Sequence, residues 1–515
     1  MSKKIPEPVR ARARAVAQLA AANPFTDAWT TGERAALGDA FSPRERPWSL
    51  GAEADARQRN VEALEALARE LSERLRTALD AGVATDEDAA LYREVALFDL
   101  YSRAIPALDE LVQRGAHKKV TAYAPLKAAF ERAFAVDARA RPTFAAAHWF
   151  AGSFQLRRAF HHTFRFFVGA SRASARLRGA VWEAIFTADA ARFRRALFDR
   201  MRDVPTLILG ETGTGKELVA RAIGLSGFVP FVEDKLAFAG DPAAAFFPLH
   251  LAALSPTLVE SALFGHQRGA FTGALADRDG VFASCPPWGA VFLDEVGELD
   301  DGLQTKLLRV LETRDFTPLG ADRPRRFVGR VLAATHRDLG AGVDAGTFRR
   351  DVYFRLAGVV VRTPTLRARL AEGDDELGPL VAFLARQVAG DVEGPALAGA
   401  ARAALARVPS SYPWPGNVRE LAQHVRALLV HGALDDAAFV PRSTTAPPAT
   451  TTAGPMHDDA GDVDDGWLAA ARAGALTVDE LVTRYVRHVH ARVGTYEGTA
   501  QRVGLDRRTV KARVG

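Results

Sequence analysis

The first part of the chain, residues 1–166, has the spacing of apolar positions that is typical of amphipathic helices. From Val61 to Leu79, apolar residues recur at steps of three and four positions, and charged residues lie between them. No alternation of apolar and polar residues typical of strands competes with this spacing. The pattern therefore predicts a helical N-terminal domain over residues 1–166.

The pattern changes after about Phe167, where short apolar runs begin to alternate with helical segments. The runs start at Thr206, Ala290 and Gly329. Strands that alternate with helices in this way predict a parallel sheet covered by helices on both faces. We therefore expect a multidomain α/β protein whose sheet subdomain occupies residues 167–365.

Beyond Pro364 the strand pattern stops, and a helical lid is predicted over residues 366–440. Its three predicted helices are Leu377–Val388, Ala400–Val408 and Asn417–His431. Residues 441–466 contain almost no large apolar side chains and cannot offset the entropy of ordering, which predicts a flexible linker. The C-terminal domain, 467–515, is predicted to contain a helix from about Thr477 to Arg492 and then a short helix pair.

The composition is that of a globular protein with several domains. The chain has 515 residues, of which 48% are hydrophobic and 25% charged. Its single cysteine, Cys285, excludes an internal disulfide, and the N-terminus lacks the apolar core of a secretory signal. The most apolar stretch, Leu236–Leu254, is interrupted by Asp241, Pro242 and Pro248. We therefore expect a cytoplasmic protein without a membrane partner.

A glycine-rich loop follows the strand predicted at Thr206 and precedes a helical segment. It consists of Gly210, Glu211, Thr212, Gly213, Thr214, Gly215 and Lys216. In this context backbone N–H groups approach phosphates, the helix N-terminus adds positive potential, and Lys216 reaches the outer phosphates. Glu217 stands where the usual motif has Ser or Thr to hold magnesium. The alternative is a turn without chemical consequence.

Two adjacent carboxylates, Asp294 and Glu295, end the apolar run that starts at Ala290. A buried strand would bring both to the phosphates, so that Asp294 holds Mg²⁺ directly or through water and Glu295 polarises the attacking water. A solvated acidic strand end is the alternative, and the glycine-rich loop upstream disfavours it. The two motifs together predict a site for ATP and Mg²⁺.

These motifs resemble those of the AAA+ ATPases, and the resemblance implies roles for further residues. His336 lies where the family has a sensor residue near the terminal phosphate, commonly Asn. Arg349 and Arg355 match the arginine-finger positions, which act on the nucleotide of a neighbouring subunit. Arg419, in the stretch WPGNVREL, matches the second sensor in the lid. The resemblance implies a homo-oligomeric ring, a hexamer.

A second stretch resembles one branch of that family, the sigma-54-dependent activators. It reads GAFTGA and consists of Gly269, Ala270, Phe271, Thr272, Gly273 and Ala274. The resemblance implies a mobile loop that contacts sigma-54 RNA polymerase, with Phe271 and Thr272 exposed at its tip. A tight turn with a buried phenylalanine is the alternative. In this family an asparagine upstream restrains the catalytic glutamate, and His250 stands at the corresponding place.

The C-terminal residues Thr495 to Arg513 are predicted to form two helices around a turn at Gly504, with Asp506 as the N-cap of the second helix. That helix carries residue types that contact phosphates and guanine edges, namely Arg507, Arg508, Thr509, Lys511 and Arg513. A basic solvated tail is the alternative. The pattern resembles the Fis-like helix-turn-helix of these activators, which implies binding to double-stranded DNA at upstream enhancer sites and association with the nucleoid.

Together the motifs predict a transcription activator that uses ATP hydrolysis in a ring to convert closed complexes of sigma-54 RNA polymerase into open complexes. One alternative is a DNA-processing or protein-unfolding AAA+ motor that uses the C-terminal helices only for localisation. Another is a DNA-binding repressor with a degenerate ATPase, which Glu217, His250 and His336 would allow.

The N-terminal 166 residues, expected to be regulatory, show no phosphoacceptor pattern, zinc spacing or nucleotide loop. Three histidines, His148, His161 and His162, lie near aromatic residues and raise the question of a ligand or metal site. Because no ligand spacing supports a metal, aromatic packing is favoured.

Overall fold

The computed structural model describes residues 4–48, 54–115, 119–372, 376–434 and 476–514. The chain divides into two compact units, Met1–Pro441 and Arg442–Gly515. The first unit contains N-terminal helices, a parallel sheet and lid helices, and the second contains C-terminal helices. The predicted fold class is confirmed, while the boundary predicted after residue 166 stays a prediction. The predicted linker, 441–466, lies outside the described residues.

Helices form the N-terminal part of the first unit. They are α1 Glu7–Ala21, α2 Asp27–Leu37, α3 Ala54–Asp80, α4 Asp86–Arg114, α5 Tyr123–Ala133, α6 Ala146–Phe166 and α7 Arg172–Phe186. Within α3, Leu64, Leu67, Leu71 and Leu75 are buried, as expected of one apolar face at helical spacing. The helix predicted from Val61 to Leu79 is therefore confirmed.

The strands of the first unit form a five-stranded sheet and three short two-stranded hairpins. They are β1 Thr206–Leu209, β2 Phe231–Val232, β3 Ala237–Phe238, β4 Phe246–His250, β5 Gly265–His266, β6 Arg278–Asp279, β7 Ala290–Asp294, β8 Asp315–Phe316, β9 Arg325–Arg326, β10 Arg330–Thr335 and β11 Val359–Arg362. The large sheet has the order β11-β1-β10-β7-β4, and all its pairings are parallel.

The sheet is buried on both faces, because alternate side chains along each strand enter different cores. Leu207, Val291 and Val331 belong to one apolar cluster, which includes residues of the helices after β4 and β7. Ile208 and Phe292 belong to another, which includes residues of α7 and of the helix that follows β1. This arrangement confirms the predicted parallel sheet covered on both faces.

The remaining helices of the first unit are α8 Ala190–Arg192, α9 Lys216–Gly224, α10 Pro256–Phe264, α11 Val281–Ser284, α12 Asp301–Thr313, α13 Leu339–Asp344, α14 Arg350–Leu356, α15 Leu366–Leu370, α16 Leu377–Leu405 and α17 Asn417–His431. Of these helices, α8 precedes β1, α9 to α14 lie between strands, and α15 to α17 follow β11 in the predicted lid. No helix in the described part of the chain has the length and apolar character needed to cross a bilayer.

The second lid helix differs from its prediction. The structure has helix on both sides of a break at Gly390, whose φ is 72°, instead of a helix that begins at Ala400. Pro395 lies five residues after the break, within the first two turns of the helix that follows it. The glycine and proline were therefore signs of a helix break and restart rather than of a long loop.

The second unit contains α18 Val478–Val493, α19 Tyr496–Val503 and α20 Arg507–Val514. The first of these begins at a capping box, in which Thr477 and Glu480 satisfy each other's backbone N–H groups. Asp506 accepts from the backbone N–H groups of Arg508 and Thr509 at 2.9 and 3.0 Å. The predicted helices and the predicted N-cap are confirmed.

A buried carboxylate connects the segment before α7 to the start of the lid. Glu376, which is fully buried, accepts from the backbone N–H of Ser171 and the hydroxyl of Ser174, both at 2.7 Å. It also pairs with the guanidinium of Arg369, which is itself buried. Gly169 is required beside this cluster, since its φ is 153° and a Cβ there would lie 2.4 Å from Oε1 of Glu376.

We predict that Glu376→Ala destabilises the first unit by about 3 kcal/mol or more, because it leaves the Arg369 guanidinium buried without its counterion. Chemical denaturation followed by circular dichroism measures the effect. The control is Glu393→Ala, an exposed lid carboxylate, which should change stability by less than about 0.5 kcal/mol. Equal effects of the two substitutions would contradict the role of the buried pair.

Candidate active site

The glycine-rich loop connects β1 to α9, and its shape depends on left-handed glycines. Gly213 and Gly215 have φ values of 80° and 95°, which other residues rarely adopt. A Cβ on Gly213 would lie 2.1 Å from the carbonyl oxygen of Gly416. Position 213 therefore requires glycine both for its backbone angle and for the close approach of the lid.

The ammonium group of Lys216 occupies the hollow of this loop. Its Nζ donates to the carbonyl oxygen of Gly210 at 2.9 Å and lies 3.8 Å from Oε1 of Glu295. Burial lowers the pKa of Lys216, and the negative charges of Glu295 and Asp294 oppose that effect. A buried ammonium at a helix N-terminus is suited to bind phosphate oxygens.

The register of the sheet brings the acidic pair to the same edge as the loop. Asp294, at the end of β7, lies opposite His250 of β4 and Ala334 of β10. Leu209, the last residue of β1, lies opposite Thr335. Because parallel strands end at a common edge, the loop after β1 and the carboxylates after β7 meet there.

Glu295 is held by the residues at the end of β10. Its Oε2 lies 2.7 Å from the ring Nδ1 of His336, 3.2 Å from the backbone N of His336 and 3.3 Å from the hydroxyl of Thr335. Burial raises the pKa of Glu295, but the hydrogen bonds from His336 and the charge of Lys216 outweigh it, so the pKa is lowered overall. Glu295 is therefore an ionised carboxylate near neutral pH, as a general base requires.

His250 contacts the other carboxylate, which corrects the expectation that it restrains Glu295. Its Nδ1 lies 3.0 Å from Oδ2 of Asp294. The reason is the strand register, which makes Asp294 the direct neighbour of His250 on the adjacent strand. In this structure His336, one residue beyond β10, makes the contact with Glu295 instead.

Asn417, the first residue of α17, connects the lid to the loop. It is fully buried, and its Nδ2 donates to Oε2 of Glu211 and to the carbonyl oxygen of Thr212, both at 3.1 Å. Its Oδ1 accepts from the backbone N–H of Leu366 at 2.8 Å. The backbone N–H of Arg419 donates to the carbonyl oxygen of Gly213 at 3.3 Å. The lid is therefore hydrogen-bonded directly to the loop.

The three predicted arginines have different surroundings. Arg419 is exposed, and its positive charge contributes to lowering the pKa of Lys216. Arg349 pairs with Asp351 at 2.9 Å, and Arg355 pairs with Glu312 at 3.1 Å, both at the surface. In the described part of this chain, neither finger arginine has a hydrogen bond to the glycine-rich loop.

The GAFTGA loop lies at the tip of the β5–β6 hairpin. The backbone N–H of Gly269 donates to the carbonyl oxygen of Ala274 at 2.9 Å. Thr272 is exposed, Ala274 is buried, and Phe271 is partly buried with its ring edge-on to His266 at 5.0 Å. The structure thus combines a tight turn, which was the alternative, with an exposed tip at Thr272 and a half-exposed phenylalanine.

The predicted DNA-contacting residues of α20 are not equivalent. Arg513 is engaged within the unit, where it donates to the hydroxyl of Thr483 and pairs with Asp479, both at 2.7 Å. The hydroxyl of Thr509 is bound to the N-cap carboxylate of Asp506. Three residues of the predicted set remain exposed, namely Arg507, Arg508 and Lys511.

The oxygen donors at the site fit a magnesium ion only in part. Asp294 offers a carboxylate beside Lys216, the kind of hard ligand that Mg²⁺ prefers. Glu217 stands where the usual motif has a hydroxyl side chain. It is exposed, and its Oε1 lies 3.6 Å from a guanidinium nitrogen of Arg221. Within the described ranges, no group of three or more His, Cys, Asp or Glu residues could hold a metal. A bound Mg²⁺ would therefore need phosphate oxygens and water as its other ligands.

The parallel sheet, the glycine-rich loop, the paired carboxylates and the lid define a fold of the AAA+ class. Residues 188–362 match the family described as Sigma-54 interaction domain. Both the glycine-rich loop and the GAFTGA loop lie within the matched residues. The chain therefore carries a sigma-54 interaction domain and is related to the sigma-54-dependent transcription activators.

Relatives match the chain over part of its length. The hydrogenase transcriptional regulatory protein HoxA of Cupriavidus necator is 45% identical over 226 residues, which are 43% of this chain and 42% of HoxA. The regulator NtrC of Rhizobium meliloti is 35% identical over 297 residues, or 57% of this chain and 54% of NtrC. The chain thus spans about half the length of these relatives.

Among solved structures, NtrX from Brucella abortus is 24% identical and covers 73% of this chain and 75% of its own, with a TM-score of 0.38. A similarity this low adds nothing to the assignment.

Two contacts at the site were missed by the sequence analysis. One is Asn417, which the sequence indicated only as the start of a lid helix and as part of the stretch WPGNVREL. The other is Thr363, whose hydroxyl lies 2.7 Å from that of Thr214 in the loop. The sequence signal for Asn417 was its position directly after Gly416 at the start of a predicted helix. Its backbone φ in the structure is 52°, a left-handed value that asparagine tolerates better than most residues.

We predict that Asn417→Asp weakens nucleotide binding by about tenfold. The aspartate keeps the acceptor for Leu366 but replaces the donor to Glu211 with a negative charge, which costs roughly 1.4 kcal/mol. Titration with a fluorescent ATP analogue measures the change. Gln423→Ala, an exposed position on the same helix, is the control, and an unchanged affinity of Asn417→Asp would show that the lid contact does not support the loop.

Proposed function

We propose that this protein is a sigma-54-dependent transcription activator that binds upstream DNA and uses ATP hydrolysis in an oligomeric ring to open promoter complexes. The observation that supports it most is a GAFTGA turn with Thr272 exposed, which lies in the same matched domain as the glycine-rich loop and the acidic pair. The match to the Sigma-54 interaction domain suggests sigma-54 RNA polymerase as the partner. The geometry of the glycine-rich loop suggests ATP hydrolysis as the energy source.

In the proposed reaction, Lys216 and the backbone N–H groups of its loop bind the phosphates of ATP. Glu295 accepts the proton of the attacking water. In the structure Glu295 contacts His336, Thr335 and Lys216, so phosphate binding at Lys216 would change one of these three contacts. A magnesium ion, when bound, supplies charge neutralisation at the phosphates, and Asp294 is the residue that would hold it.

A ring is proposed because the finger residues lie at the surface, away from the loop of their own chain. Arg349 and Arg355 pair with nearby carboxylates, and neighbouring Phe354 is 68% exposed. An exposed aromatic side chain beside arginines is the composition expected of a subunit interface. In a hexamer the two arginines would reach the nucleotide of the next subunit and stabilise the charge of the transition state.

The second unit is proposed to hold the ring near its promoter. In α20, Arg507, Arg508 and Lys511 are exposed, and Lys511 lies four positions after Arg507 and three after Arg508, so that it shares a side of the helix with each of them. Such a basic helix after a short turn at Gly504 suits insertion into a major groove. Arg513 is proposed to anchor this helix to α18 rather than to contact DNA, because it pairs with Asp479 and donates to the hydroxyl of Thr483.

We predict that Glu295→Gln lowers the ATP turnover number by at least about 100-fold, because the amide cannot accept the proton of water. Nucleotide affinity should not fall, since Lys216 loses a competing carboxylate. Phosphate release and binding of a fluorescent ATP analogue measure the two effects, with Glu393→Gln in the lid as the control. Absence of turnover in the unmodified chain would instead support a repressor with a degenerate ATPase.

We predict that Thr272→Ala abolishes ATP-dependent open-complex formation with sigma-54 RNA polymerase while ATP turnover stays within about twofold of the unmodified chain. The substitution removes only an exposed hydroxyl and leaves the hydrogen bond between Gly269 and Ala274 intact. Thr31→Ala, another exposed threonine, is the control in the same permanganate footprinting assay. Full activation by Thr272→Ala would refute the role of the loop, and turnover stimulated by DNA ends or unfolded protein would favour another AAA+ motor.

A further inference from the structure

A cavity of about 340 Å³ lies between the N-terminal helices and the segment that leads into β1. Its wall includes residues of α2, α3, α4, α6 and α7, together with Phe193, Phe198 and Phe228. This volume lies within the range of small-molecule sites. It is separate from the glycine-rich loop and is not used by the proposed reaction.

Aromatic rings line one part of the cavity. Phe25, Phe160 and Trp182 contact one another, with ring centroids 4.7 to 6.3 Å apart. His148, for which aromatic packing was favoured, lies in this wall beside Phe228 at 5.1 Å, and burial lowers its pKa. A neutral imidazole among aromatic rings continues the uncharged surface of the cavity.

Three arginines of the wall are engaged in ion pairs. Arg194 pairs with Glu94 at 2.7 Å, and Arg157 pairs with Asp109. Arg44 and Glu33 form a further pair whose side chains are almost fully buried. A charged occupant would have to compete with these pairs, whereas an uncharged one would leave them in place.

Five buried polar atoms of the wall residues have no hydrogen-bond partner within the described residues, and three of them are Nε of Arg44, the hydroxyl of Tyr101 and Nε of Arg194. The other two belong to residues that are buried as a whole. They are Oε1 of Gln155 and Nε1 of Trp182, and each residue is only 2% exposed. The amide nitrogen of Gln155 donates to the carbonyl oxygen of Ser226 at 2.9 Å, which fixes Oε1 as the free acceptor. Buried polar atoms without partners are uncommon and cost stability unless something satisfies them.

Gly152 leaves open space in the same wall. It lies in α6, and a Cβ built on it would meet no heavy atom within 4 Å. A glycine inside a helix makes the helix less stable than an alanine would, by roughly 1 kcal/mol. At position 152 no neighbouring protein atom is close enough to require a glycine. The space above Gly152 is therefore part of the cavity.

From these features we propose that the cavity is a binding site for an uncharged, fused-ring aromatic molecule that carries one hydroxyl group. The rings would pack against Phe25, Phe160 and Trp182. The hydroxyl could donate to Oε1 of Gln155 and accept from Nε1 of Trp182, since one hydroxyl can do both. This inference does not depend on the proposed function, because binding is measured without nucleotide or polymerase.

The test is isothermal titration of the full chain with 2-naphthol, naphthalene and 2-naphthoate. We expect saturable binding of 2-naphthol at one site per chain, about fivefold tighter than naphthalene because of the added hydrogen bonds. Binding of 2-naphthoate should be weaker than that of 2-naphthol. Failure of both neutral compounds to bind would overturn the site, and tighter binding of 2-naphthoate would overturn the proposed class of ligand.

Two variants locate the binding in this cavity. Gly152→Phe should weaken 2-naphthol binding at least about tenfold by filling the space, without lowering the thermal midpoint, because phenylalanine favours helix over glycine. Gly399→Phe, at another helical glycine with open space around it, should leave binding unchanged. Unchanged binding or a lowered midpoint in Gly152→Phe would overturn the proposal.

Trp182→Phe separates the polar contact from the apolar one. It keeps an aromatic ring and removes the Nε1 donor, so the fivefold preference for 2-naphthol over naphthalene should decrease while naphthalene binds as before. This variant is cleaner than one at Gln155, whose amide nitrogen also binds Ser226. An undiminished preference would show that Trp182 does not contact the hydroxyl, and would overturn that part of the proposal.

Discussion

The common edge at which the parallel strands end is the constraint on which the site depends. Because β1, β7 and β10 are paired in parallel, the glycine-rich loop, the acidic pair and His336 all follow strand ends at that edge. No single strand has the three groups, and an antiparallel arrangement would place some of them at the opposite edge. The resulting contact between Lys216 and Glu295, whose Nζ and Oε1 are 3.8 Å apart, joins the element proposed to bind phosphate to the one proposed to activate water.

The glycine-rich loop and the far end of the helix that follows it are each held by a helix distant in sequence. Asn417 of the lid donates to Glu211 and Thr212. At the other end of α9, Arg158 of α6 donates to the carbonyl oxygens of Leu225 and Gly227. The same α6 carries Gly152 and Gln155 in the wall of the aromatic cavity. The helix after the phosphate loop is thus fixed between the lid and the N-terminal helices.

The contacts of His250 and His336 could not be predicted from the sequence. Both were recognised as departures from the pattern of the AAA+ activators, but their partners could not be assigned from position alone. His250 contacts Asp294 because the two residues are neighbours across β4 and β7. His336 contacts Glu295 because Glu295 adopts a left-handed backbone, with φ of 58°, that a linear motif does not reveal.

The sequence alone was enough to predict the candidate site and most of the helices and strands that hold it. Glycines, Lys216 and the pair Asp294 and Glu295 were recognisable because local backbone geometry and side-chain type define their roles within a few residues. What only the tertiary structure decided were contacts between distant segments, such as Asn417 with the loop and the aromatic cavity between helices. Such contacts depend on which faces of helices and strands meet, and the linear pattern of apolar and polar residues predicts that a face is buried without specifying its neighbour.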